Sequence, residues 1–300
     1  MAVMEAPPPA APPTAGIPRT RSAWTWLGVL PFFVFALLFI GLPASFLVIG
    51  SLTLPDGGVG LDNYAGLTGD CCFLAFRNSI QLSLVTALLG GLFGFLLAAA
   101  VILGGLPPIL RSALMTFSGV ASNFAGIPLA LAFIFTLGNL GLVTKFIMDT
   151  FDFRIQAAGF SLYSMAGLSL VYLYFQFPLM VLVIAPAIDG LRREWREAAE
   201  NLGATPFQYW RKVALPILTP SLLGAVILLF GNAFGAQATA FQLSGGTIQL
   251  ATLVISSQMQ GDVLFNPGLG YAMAMGMVVI MAISITAYTW LQRRSERWLR

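Results

Sequence analysis

Uninterrupted apolar runs, each longer than 20 residues, alternate with short polar connectors along this chain. Six such runs occur, at Trp26 to Ser51, Ile80 to Leu103, Ala113 to Leu137, Leu162 to Ile188, Ile217 to Ala238 and Tyr271 to Leu291. A helix needs about 20 apolar residues to cross about 30 Å of hydrocarbon, so the pattern predicts six transmembrane helices. A membrane barrel would instead show short segments alternating between apolar and polar residues. The predicted fold class is therefore an all-α integral membrane protein.

Composition supports the same class. With 58% hydrophobic and only 9% charged residues, the chain has too few charges to cover a soluble surface. Residues 1–22, rich in Pro and Ala, predict a disordered cytoplasmic tail, and residues 23–300 a single transmembrane domain with a polar loop at 190–216. The first run has no small-residue cleavage pattern after it and reads as a retained span, not a signal peptide. Leu54 to Phe76, carrying Asp56, Asp62 and Asp70, and Phe241 to Gly270, with Asp262 its only charge, predict extracytoplasmic connectors.

Basic residues fix the orientation. Of the 15 Lys and Arg, only Arg77, Lys145 and Arg154 fall on one side of a six-span arrangement. Arg19, Arg21, Arg111, Arg192, Arg193, Arg196, Arg211, Lys212, Arg293, Arg294, Arg297 and Arg300 fall on the other. The positive-inside rule puts that side, with both termini and the 190–216 loop, in the cytoplasm. The basic excess is thus a topology signal and gives no reason to expect nucleic-acid binding.

Several chemistries are excluded. The chain has no His, and its two cysteines, Cys71 and Cys72, are adjacent and without ligand company, so no metal site is expected. No carboxylate lies at the middle of a run and no phosphate-binding Gly-Lys-Ser/Thr loop is present, which argues against catalysis and against ATP binding by this chain. A secondary transporter, the other membrane class considered, usually carries ionisable groups within the bilayer.

The 190–216 loop is where the sequence is most specific. Arg192 to Asn201 are good helix formers, and Gly203 stands where a left-handed cap residue is expected, so a first helix should stop near Leu202. Thr205, Pro206 and Gln208 form a capping-box pattern for a second helix, which Leu215-Pro216 should end. Ala198 and Ala199 behind Glu197 leave a thin helix face, and Trp195, Leu202, Phe207 and Trp210 offer apolar anchors. Such an element suits docking into a cleft of a soluble partner.

Glu197-Ala198-Ala199, Gly203 and Val213-Ala214-Leu215-Pro216 at this spacing resemble the EAA loop of permease subunits of ABC importers, with Val213 where Ile is more usual. The resemblance implies a type I importer fold in the bacterial plasma membrane. It implies that Glu197, Ala198, Ala199, Gly203, Leu215 and Pro216 couple to two cytoplasmic ATPase subunits, which hold the ATP-Mg. It also implies a second permease chain and an extracytoplasmic substrate-binding protein as partners, with no cofactor in this chain and no catalysis by it.

Polar residues in the fifth run, Asn232, Gln237 and Thr239, followed by Gln242 and Ser244, either line a substrate path or bond helices together. The type I fold implied by the resemblance favours a path. Asn123 with Gly126-Ile127-Pro128 is a second candidate for the path, or a packing kink. Leu61-Asp62-Asn63-Tyr64 and Arg77-Asn78-Ser79 resemble permeases of the spermidine and putrescine importer group. Thiamine, ferric iron, phosphonate and sulfate permeases look much alike, and any of these solutes stands as the alternative substrate.

Overall fold

The computed structural model describes residues 24–54, 56–153, 159–260 and 266–296. The expected tail at 1–22 lies outside these residues, as do Arg154, Asp262, Arg297 and Arg300. The chain divides into two compact units between Phe46 and Leu47.

The first unit contains α1 (Trp24–Ala36), a π-helical turn (Leu37–Gly41) and the start of α2 (Leu42–Leu52). Pro31 lies inside α1, and Phe35 stacks on Phe39 across the π turn at 4.7 Å between ring centroids.

The second unit contains α3 (Asp62–Ala65), α4 (Asp70–Leu103), α5 (Pro108–Asn123), α6 (Ile127–Leu137), α7 (Leu142–Phe151) and α8 (Met165–Asp189). It continues with α9 (Arg193–Asn201), α10 (Pro206–Tyr209), α11 (Leu215–Gly235), α12 (Ala238–Ser244), α13 (Ala251–Gln260) and α14 (Pro267–Glu296). Among the described residues, six helical stretches are long and apolar enough to cross a membrane: Gly28–Leu52, Asp70–Leu103, Ile127–Phe151, Met165–Asp189, Pro206–Gly235 and Pro267–Arg293.

Three expectations need correction. The third apolar run is not one helix: α5 ends at Asn123 and α6 begins at Ile127, with Gly126 between them at φ 74° and ψ −147°. That backbone region is open essentially only to glycine, and Pro128 adds the loss of a backbone donor. Next, Leu215-Pro216 does not end the second loop helix. A π turn at Trp210–Ala214 joins α10 to α11, and the Leu215 N–H bonds the Trp210 carbonyl. The wider turn accommodates the proline that follows it. Third, the two segments expected as extracytoplasmic connectors contain helices. Helix α4 starts at Asp70, with the acidic residue in its first turn where the helix dipole favours it. The 241–270 segment holds the end of α12 and all of α13, and Asn78 and Ser79 of α4 bond it at the Gln249 carbonyl and the Ala251 N–H.

The core of the second unit is α4, α8 and α11. Helix association inside a bilayer gains nothing from the hydrophobic effect and relies on close van der Waals approach, which small residues permit. A Cβ on Gly90 would lie 2.8 Å from the Cβ of Gln176, and one on Gly94 would lie 2.5 Å from the Cβ of Met180. Both glycines therefore let α4 press directly onto α8. Ile184, Leu229 and Met180 are fully buried in the cluster that results. A smaller cluster ties α4 to α14, where the buried Cys72 thiol faces the Met273 sulfur at 3.7 Å, while Cys71 is exposed and free.

Candidate functional site

The 190–216 segment folds as its caps dictate. Helix α9 ends in a full Schellman arrangement: the Gly203 N–H bonds the Glu200 carbonyl at 2.9 Å and the Ala204 N–H bonds the Ala199 carbonyl at 2.9 Å. Gly203 takes φ 75°, the left-handed conformation that this motif requires. Two residues later the Thr205 hydroxyl accepts from the Gln208 N–H at 3.3 Å, and the Gln208 side chain accepts from the Thr205 N–H at 2.9 Å. The turn between the two helices is thus specified by its own residues.

This hairpin contributes little to the interior. Glu197 is exposed and pairs with Arg193 at 3.0 Å, Glu200 pairs with Arg196 at 2.9 Å, and the Arg192 guanidinium sits 5.8 Å over the Trp195 ring. Such exposed pairs are worth a few tenths of a kcal/mol and stiffen α9 more than they stabilise the fold. Leu202 is 88% exposed and Phe207 71% exposed, far more than packing would leave them. Trp210, expected as a fourth outward anchor, instead turns inward and meets Phe95 edge-on at 6.3 Å. Its inward direction follows from the continuous α10–α11 helix. Ala198 is exposed and Ala199 half-buried on α9, while Leu215 and Pro216 are exposed at the start of α11.

The expected path residues gather around a second feature, the meeting of two broken spans. Helix α11 stops at Gly235, Ala236 is extended, and α12 starts again at Ala238, just as α5 gives way to α6 at Gly126. The two breaks touch: a Cβ on Gly126 would lie 3.8 Å from that of Ala238. Thr239, buried, accepts from the Gly126 N–H at 2.9 Å and donates to the Gly126 carbonyl at 3.3 Å. Asn232 donates to the Gln176 side chain at 3.3 Å, and Gln237 is exposed at the N-terminus of α12. Gln242 is half-buried one turn beyond Thr239. Asn123 is exposed at the end of α5 and bonds back to the Gly119 carbonyl at 2.8 Å.

Two residues of α8 complete this region and escaped the sequence reading. The buried Gln176 side chain donates to the Leu229 carbonyl at 2.7 Å. Tyr172, also buried, donates to the Ala236 carbonyl at 2.6 Å, satisfying an acceptor that the end of α11 leaves without a helical partner. Gln176 is the only amide side chain in its apolar run, a signal that could have identified it. Tyr172 carried no such mark.

Comparisons with known proteins agree with this architecture. Residues 157–297 match the family described as binding-protein-dependent transport system inner membrane component. A probable sulfate transport system permease protein of Nephroselmis olivacea is 25% identical over 287 residues, covering 92% of each chain. A spermidine/putrescine transport system permease protein of Haemophilus influenzae is 34% identical over 121 residues, covering 40% of this chain and 41% of its own. Among solved structures, a bacterial ABC transporter involved in import of the acidic polysaccharide alginate has a chain of the same fold, with TM-score 0.71 and 17% identity over 90% of this chain and 95% of that one. Residues 157–297 thus match the family of binding-protein-dependent transport system inner membrane components, and the chain has transport-system permease proteins among its relatives and shares its fold with a chain of a solved ABC transporter.

Proposed function

We propose that this chain forms half of the membrane path of a binding-protein-dependent importer and that α9, with Gly203 and α10, is the element through which two cytoplasmic ATPase subunits drive it. The observation that carries the proposal is the exposed, internally capped α9–α10 hairpin, which presents Leu202 and Phe207 outward while packing little of the fold. Glu197, Ala198 and Ala199 face the ATPase, Gly203 sets the angle of the turn, and Leu215 and Pro216 lead the motion into α11. Both termini are cytoplasmic, and a second permease chain completes the path. Co-expression with the cognate ATPase and pull-down of the pair tests this directly.

The path itself runs past the crossing of the two broken spans, with Asn232, Gln237, Gln242 and Asn123 as its polar lining and Thr239 as the tie between the breaks. None of α5, α6, α11 or α12 contains Asp or Glu. Amide N–H and hydroxyl groups donate the hydrogen bonds that hold oxyanion oxygens, whereas a polycation would find no carboxylate there to pair with. The sulfate permease relative, similar over nearly the whole length, supports a sulfate-like oxyanion as the substrate. The spermidine/putrescine relative, with higher identity over a shorter stretch, supports a polyamine as the second reading. Uptake of radiolabelled sulfate into proteoliposomes, challenged with unlabelled spermidine, separates the two.

On the outer side, the α12–α13 segment provides a surface for the substrate-binding protein. A cleft of about 380 Å³ there is lined by Phe241, Gly245, Ile248, Ser256, Ser257 and Gln260.

A further inference from the structure

Arg111 is the only charged residue between Arg77 and Lys145, and Asp189 the only one between Arg154 and Arg192. These two isolated charges meet. One terminal nitrogen of the Arg111 guanidinium donates to both oxygens of the Asp189 carboxylate, at 2.8 and 2.7 Å. Arg111 lies in the first turn of α5 and Asp189 is the last residue of α8, so the pair pins the base of α5 to the end of α8. Only Gly190, Leu191 and Arg192 separate Asp189 from α9.

At its other end α5 runs into the break at Gly126 that Thr239 holds. A helix of 16 residues is a rod of about 24 Å, stiff enough to carry a displacement of its base to its tip. The side chains are 40% and 45% exposed, so the pair adds little to stability and its presence calls for another account.

We propose that the Arg111–Asp189 pair is a strut that makes α5 follow the α9 hairpin, so that ATPase closure reaches the break at Gly126. Both are positioning residues, acting through α5 and the hairpin. This rests on the coupling role proposed for α9.

The test uses the chain assembled with its ATPase, carrying Cys71→Ser to remove the exposed native thiol and Asn123→Cys as a reporter at the tip of α5. Maleimide labelling at the reporter is timed with and without a non-hydrolysable ATP analogue, so no transported solute needs to be known. With the pair intact, the analogue should change the labelling rate by about fivefold or more, the lower end of ordinary coupling between sites. Asp189→Asn and Arg111→Gln should each abolish that change while the ATPase still co-purifies, and the swapped variant Arg111→Asp with Asp189→Arg should restore it. An unchanged response in the single variants, no rescue by the swap, or no response with the pair intact overturns the strut. Failure of the ATPase to assemble with the unaltered chain would instead refute the coupling role of α9.

Discussion

The Thr239 hydroxyl holds Gly126 by both its N–H and its carbonyl, at 2.9 and 3.3 Å, joining residues 113 positions apart in sequence. A single side chain thereby ties the break between α5 and α6 to the break between α11 and α12. Around it the core is fixed, since Tyr172 and Gln176 of α8 bond the carbonyls of Ala236 and Leu229. Helices α6 and α12 are short and bounded by non-helical residues.

Removing that tie should loosen the break. Thr239→Val keeps the shape but leaves the half-buried Gly126 N–H without its partner, at about 1–3 kcal/mol, while the Gly126 carbonyl keeps the Ala130 N–H at 3.2 Å. The assembled transporter should show a lower unfolding temperature and raised ATP hydrolysis without binding protein. Thr239→Ser, which keeps the hydroxyl, should behave as wild type; equal behaviour of Val and Ser would refute the role given to the hydrogen bonds.

Gly203→Val places a β-branched residue at φ 75°. The left-handed region costs an L residue roughly 1–2 kcal/mol, more with a branch at Cβ. The strain falls on the Schellman turn and leaves the spans alone. The variant should insert in the membrane at normal levels yet fail to retain its ATPase in a pull-down.

Glu197→Arg reverses the charge beside Arg193 and replaces an attractive pair by a repulsive one on α9. On the fold the effect should stay within about 0.5 kcal/mol. On ATPase binding, where Glu197 is proposed to sit at the contact, a loss of an order of magnitude is expected, readable as a shift in the dissociation constant.

Gly94→Ala should be costly out of proportion to its size. The new methyl would meet the Met180 Cβ at 2.5 Å and the Phe177 carbonyl at 2.7 Å, and backbone cannot step aside as a flexible side-chain end can. Overpacking of this kind costs roughly 1–3 kcal/mol. Gly119→Ala, which meets nothing within 4 Å, is the control and should leave the melting temperature of the detergent-solubilised protein unchanged or slightly raised.

How much of this was legible in the sequence depends on how local the cause is. The turn at Gly203 and the capping box at Thr205 were readable because each is completed within a few residues. Membrane class and the EAA pattern were readable for the same reason: long apolar runs and fixed spacing need no tertiary partner. The break at Gly126 was seen only as a kink, since its conformation is held by Thr239, far away in the chain. Trp210 was assigned outward because nothing local announces the π turn that carries α10 into α11. Arg111 was read only as one of the basic residues that set the orientation and Asp189 was not singled out, because only the packing of α5 on α8 brings the two together.

The central claim is that the α9–α10 hairpin couples this chain to an ATPase. Its most direct test is ATP hydrolysis by the purified complex as the ligand-loaded binding protein is added, with wild-type chain and with Gly203→Val. Stimulated hydrolysis that is lost in the variant is the predicted result. A wild-type chain that recruits no ATPase, or a variant whose stimulated hydrolysis matches wild type, would contradict the account.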